Sequence, residues 1–157
     1  MSDKEDLVFA IDGTALIENL LNQVIVNFCA PTQNRFYFFW NVVLDSSIMP
    51  IGSKTKIAMA ISQELHFKLN QNAIHNVMSL RNSFAHHKTG SHPVMVAGKS
   101  PDENSIHYQL QVISNSGRLS RKRRYDALAE FKSFYAEAKT SLVDLLAVIK
   151  AKSNNTA

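Results

Sequence analysis

Apolar side chains recur at helical spacing in one block of this chain after another, and prolines, glycine and asparagine separate the blocks. Ile17, Leu20, Leu21, Val24 and Phe28 form one stripe, Ile57, Ile61 and Leu65 a second. The longest runs through Leu128, Phe131, Tyr135, Ala138, Leu142, Leu145 and Ile149. Repeats of three and four residues put such positions on one side of a helix. Pro31, Pro50-Ile51-Gly52 and Leu69-Asn70 mark short connections, which favour antiparallel neighbours. The expected fold is all-α, an up-and-down bundle of four to five helices in a single domain, residues 1–157, with a frayed tail at 152–157. Ile106, Tyr108, Leu110 and Val112 alternate with polar residues, the period of a half-buried strand. A small β-hairpin from Pro93 to Ile113 is therefore expected before the last helix, closed off by Ser114-Asn115-Ser116-Gly117.

Individual segments carry further expectations. The first helix is predicted over Asp3 to Cys29, with Ser2 and Glu5 as a capping box. Gly13 is its weak point, at about 1 kcal/mol against Ala, so a start at Asp12 or Thr14 is the alternative. In Arg35 to Leu44 nearly every position is apolar, which reads as a helix buried all round or one facing a second subunit. Ser53 is a good N-cap for the next helix, and Asn70 or Asn72 for the one after.

Composition bounds the class. The chain has 157 residues, 45% of them hydrophobic and 19% charged, which suits a folded core and not disorder. Its one cysteine, Cys29, excludes an internal disulfide and fits a reducing compartment. Following an apolar helix, Cys29 reads as a buried structural thiol. No run approaches the ~18 apolar residues of a membrane helix, and the acidic start is no signal peptide. No membrane association and a cytoplasmic location are expected.

The stretch Ser79-Leu80-Arg81-Asn82-Ser83-Phe84-Ala85-His86-His87 is where chemistry gathers. Arg81 falls in register with Ile74, Met78 and Ala85 on an apolar side, where a permanent cation needs an anion, a partner or a wet cleft. Asn82 and His86 stand one turn apart, so the amide is placed to orient the imidazole. His66, His75, His86, His87 and His92 do not make a metal site, because no acid or cysteine stands at ligand spacing. No Gly-rich phosphate loop, nucleophile elbow or cofactor fingerprint is present, so no cofactor is expected.

Arg81-Asn82-Ser83-Phe84-Ala85-His86 resembles the Arg-x4–6-His motif of the HEPN superfamily. Together with Lys56-Ile57-Ala58-Met59-Ala60 and Met78-Ser79-Leu80, it is most similar to the mannitol-repressor-like branch. The resemblance spans roughly Gly52 to His87, and the rest of the chain only by helix pattern. It implies a small helical module acting as a metal-independent endoribonuclease, with two motifs lining one cleft of a homodimer. Arg81 and His86 would then be catalytic and Asn82 orienting, with His87 as the alternative ring. It also implies a toxin or a defence or stress nuclease, with an antitoxin or regulatory protein as partner. The tyrosine that nucleotidyltransferase-paired toxins carry two residues after the His is here Lys88, which speaks against that subtype. Many relatives do not cleave, so the alternative is a non-catalytic regulatory or interaction module. In that case Arg81 forms a buried ion pair with an acid such as Asp45 or Glu64, and His86 caps helix carbonyls.

The basic run Arg118-Leu119-Ser120-Arg121-Lys122-Arg123-Arg124 carries five positive charges. The net charge of +4 would be −1 without them. Arg118, Arg121, Lys122, Arg123 and Arg124 are expected in a loop that tracks RNA phosphates, with Ser120 capping the last helix.

Overall fold

The computed structural model describes residues 3–86, 92–96, 105–114 and 116–154. Helix α1 is Asp3–Cys29. Helix α2 is Gln33–Phe38, continued by a π-helical turn, Phe39–Val43. Helix α3 is Ile51–Glu64 and α4 is Gln71–Ala85. Strands β1 (His92–Val96), β2 (Ser105–Ile113) and β3 (Leu119–Arg123) follow, and α5 is Arg124–Asn154. The chain is thus mostly helical, with a small antiparallel sheet before the last helix, as expected. No helix among the described residues is long and apolar enough to cross a membrane.

The chain divides into two compact units. One comprises Met1–Thr14 and His75–Tyr135, the other Ala15–Ile74 and Ala136–Ala157.

In the first unit, Ala10, Val77, Leu80, Phe84, Leu110, Val112, Ala127, Leu128 and Phe131 are buried. Gly13 does not interrupt α1. It is buried, and a Cβ there would lie 3.1 Å from Cε1 and Cζ of Phe131 and 3.4 Å from Cδ2 of Tyr135. The missing side chain lets the backbone meet an aromatic cluster. Phe9 meets Phe131 edge-on at 5.9 Å, and Phe131 stacks on Tyr135 at 6.3 Å.

The sheet has the order β1-β2-β3. Strand β1 pairs with the first half of β2 (Pro93↔Tyr108) and β3 with the second (Leu110↔Lys122, Val112↔Ser120). The third strand is a correction to the sequence reading, because the basic run is a strand and not a loop. Ser120 does not cap a helix; its Oγ donates to the Val112 carbonyl at 3.3 Å, and α5 begins at Arg124. Only cross-strand pairing reveals this, since residues 119–123 lack an alternating apolar signal.

In the second unit, Ile17, Leu21, Val24, Ile25, Leu44, Ala58, Ile61, Ile74, Ala138, Leu142, Leu145 and Ile149 are buried. Helix α3 buries Lys54, Thr55, Ala58, Ile61 and Ser62, while Ile57 and Leu65 are half-buried. It starts at Ile51 behind Pro50, two residues before the expected cap Ser53. Asn70 does cap α4, its Oδ1 accepting from the Ala73 N–H at 3.1 Å.

Helices α1 and α3 end in left-handed residues that are not glycine. Ala30 (φ 44°) donates its N–H to Val26 O at 2.8 Å, ahead of Pro31. His66 (φ 54°) bonds Gln63 O at 3.0 Å and Phe67 bonds Ser62 O at 2.8 Å, the double closure that glycine usually provides.

Two expectations of burial fail in this unit, the helix buried all round at 35–44 and the buried thiol of Cys29. Within Phe36 to Leu44 only Leu44 is buried; Phe36, Tyr37, Phe38 and Val42 are exposed, Tyr37 at 77%. The segment is too short and too uniformly apolar to have one inner face, so most of its rings reach solvent in the single chain. Cys29 is exposed because it is the last residue of α1, beyond the buried stripe that ends at Val26.

Candidate nucleic-acid site

Helix α4 carries the Arg-x4-His stretch through its last turn. Val77, Leu80 and Phe84 take the inner line of the helix. Arg81 lies about 100° round from Leu80 and is half-buried, and Asn82, Ala85 and His86 are exposed. The sequence placed Arg81 and Ala85 within the stripe, but Leu80 occupies the inward position instead.

The Arg81 guanidinium donates from Nη1 to Asn82 Oδ1 at 3.2 Å. Among the described residues it has no carboxylate partner, neither Asp45 nor Glu64 nor another acid. The Asn82 carboxamide oxygen is engaged by Arg81, and its backbone carbonyl accepts the His86 N–H at 3.0 Å. The amide thus holds the arginine. His86 sits just past the last residue of α4. Five helical steps of about 100° set Arg81 and His86 about 140° apart, so one chain presents them in different directions. His87 and Lys88 lie outside the described residues.

The basic strand belongs to the same unit as the Arg81 to His86 stretch. Its alternation sorts the five cations. Lys122 is opposite Leu110 on the inner face and pairs with Glu130. Arg121 and Arg123 are opposite Gln111 and Gln109 on the outer face, where both are exposed. Arg123 pairs with Asp126 at 2.7 Å. Arg124, the first residue of α5, is tied to Asp6 at 2.9 Å with both side chains largely buried, 5.4 Å above the Phe84 ring of α4. Arg118 and Arg121 remain exposed with no ion pair among the described residues. The run therefore divides into two solvent-facing cations, one exposed pair, one edge pair and one structural clamp.

Sequence reasoning missed Asp6, because no local signal links it to Arg124 across more than a hundred residues. It also missed the ion pair of Glu18 with Lys54. Among the described residues no three His, Cys, Asp or Glu side chains gather as a metal site. A comparison with known protein families, curated proteins and solved structures finds no match.

Proposed function

We propose that this chain binds single-stranded RNA and cleaves it without a metal. The observation that carries the reading is Arg81, a half-buried guanidinium held by an amide and paired with no carboxylate among the described residues. A structural arginine in that position is normally matched by an acid, whereas a phosphate-binding one must keep its charge available. Arg121 and Arg118 support it as exposed cations that add sequence-independent affinity.

In the reaction, the RNA 2′-oxygen attacks the adjacent phosphorus, its proton passes to a base, and the 5′-oxygen leaves with a proton from an acid. The products are a 2′,3′-cyclic phosphate and a free 5′-hydroxyl. The His86 imidazole has the chemistry for an acid or base role, and Arg81 has it for the charge that builds on the phosphorane. Their divergence of about 140° calls for a second copy that brings one chain's ring to the other chain's arginine. A homodimer is thus part of the proposal, and an antitoxin or regulatory protein would be its natural control.

The test is digestion of labelled single-stranded RNA in EDTA. Arg81→Ala and His86→Ala should each reduce cleavage by about a hundredfold or more, the scale for losing an acid–base or charge-stabilising group. Cleavage that survives both substitutions removes the motif from catalysis. One observation favours the alternative of RNA binding or regulation without cleavage, namely that Asn82 is engaged by Arg81. On that reading the two variants lose affinity while wild type yields no cyclic phosphate.

A further inference from the structure

The second unit contains a cavity of about 290 Å³, lined chiefly by Glu18, Asn19, Asn22, Trp40, Asn41 and Asp45. At ~30 Å³ per water it has room for about ten water volumes, near the lower end for small-molecule sites. It lies outside the RNA reading and does not depend on it. Three elements build it. Helix α1 supplies Glu18, Asn19 and Asn22; the π-helical turn supplies Trp40 and Asn41; the turn before α3 supplies Asp45. Single π turns of this kind are rare and concentrate at functional sites.

The wall is rich in acceptors. Asn41 donates its amide to Tyr37 O at 3.0 Å, which leaves its own carboxamide oxygen as an acceptor. The Asn22 Oδ1 is buried with no hydrogen-bond partner among the described residues. Glu18 Oε1 accepts from Lys54 Nζ and from Ser46 Oγ, each at 2.5 Å. Asp45 Oδ1 accepts from the Ser47 N–H at 2.9 Å and its hydroxyl at 2.5 Å. Two carboxylates thus stand near one ammonium, and that ammonium is itself buried. A wall that only served packing would not keep a buried amide oxygen without a partner.

We propose that this cavity binds a small organic cation, a primary ammonium or guanidinium compound. Its N–H groups meet the carboxylate and amide oxygens, and its charge lies beside the Trp40 ring, where a cation is attracted to the aromatic face. A calcium-like ion fits less well. Such ions take six to eight oxygens, and no three acidic or imidazole side chains of the described residues come together. The hydroxyl and amide of Ser47, with Lys54 nearby, hold the Asp45 carboxyl below the usual carboxylate value, so it stays charged through the neutral range.

Trp40 is the only tryptophan and it lines this cavity, so its fluorescence is a probe of binding there. Titration with agmatine and with butylamine, at fixed ionic strength, should change the emission saturably, with the same midpoint by calorimetry. The neutral analogue 1-butanol should not. Asp45→Asn and Asn41→Leu, both at exposed positions, should each weaken agmatine about tenfold or more while circular dichroism is unchanged. Arg81→Ala should leave the midpoint unchanged, which separates this site from the RNA reading. No saturable signal up to tens of millimolar, an equal response to 1-butanol, or wild-type affinity in both variants would overturn the proposal.

Discussion

Lys54 is fully buried, and its ammonium is 2.5 Å from Glu18. The side chains are 1% and 23% exposed, so the two partners are not equivalent. Glu18→Gln keeps the shape and leaves an ammonium in the interior, and breaking a buried pair in this way costs about 3–5 kcal/mol. Asp45 also feels the Lys54 charge, so the lower figure, ~3 kcal/mol, is expected. Lys54→Met leaves Glu18 with solvent access and the Ser46 hydroxyl, and about 1–2 kcal/mol should be lost. The pair replaced as Glu18→Leu with Lys54→Met should be close to neutral, because apolar packing often matches a buried ion pair. Urea unfolding followed by Trp40 emission and far-ultraviolet dichroism reads these values. With a slope of about 2 kcal/mol/M, Glu18→Gln should move the midpoint down by ~1.5 M. A shift under about 0.3 M, or a larger loss for Lys54→Met than for Glu18→Gln, would refute the reasoning.

Other outcomes are equally direct. Gly13→Ala gains helix propensity but presses on the fully buried Phe131, so a net loss of about 1 kcal/mol is expected in thermal or urea unfolding. His66→Gly relieves a left-handed non-glycine residue and should stabilise by about 0.5–1 kcal/mol, measured the same way. The Asp45 carboxyl titrates below its ordinary value in the folded chain, so its contribution is complete above that value and is lost as pH falls through the folded one; Ser47→Ala should move the titration upward in a carboxyl NMR experiment. Sedimentation at micromolar concentration should show a dimer, with the exposed rings of Tyr37 and Phe38 an accessible place to weaken it; a monomer would count against the two-copy cleavage site.

The helices were legible because their evidence is periodic and local. The stripe from Leu128 to Ile149 turns inward much as the spacing says, with Tyr135 the half-buried member. Asn70 caps α4 because its side chain reaches only three residues along the chain. What escaped was set by partners far away. Residues 119–123 become a strand through β2, and Gly13 is accommodated by Phe131. Arg124 is immobilised by Asp6 although it sits in a run that reads as free positive charge. The stretch from Arg81 to His86 was found from composition and spacing. That Arg81 engages Asn82 and meets no acid among the described residues required side-chain geometry. The polar wall around Trp40 left no sequence signature, because its asparagines and acids come from three separate segments.

The staggered sheet has a consequence for solubility. In the order β1-β2-β3 each of β1 and β3 is an outer strand of the sheet, with one edge not paired to another strand among the described residues. Strand β1 contains Pro93, which has no N–H to offer such a neighbour, and β3 presents Arg121 and Arg123, whose charges would meet their own copies at close range. The basic strand is therefore a guard against strand-by-strand aggregation, whatever else it binds. Replacing its arginines by glutamine removes that guard, so turbidity should rise alongside any loss of the proposed RNA affinity. Arginine-to-lysine substitutions keep the guard, and they are the form in which the strand can be probed without confusing precipitation with lost recognition.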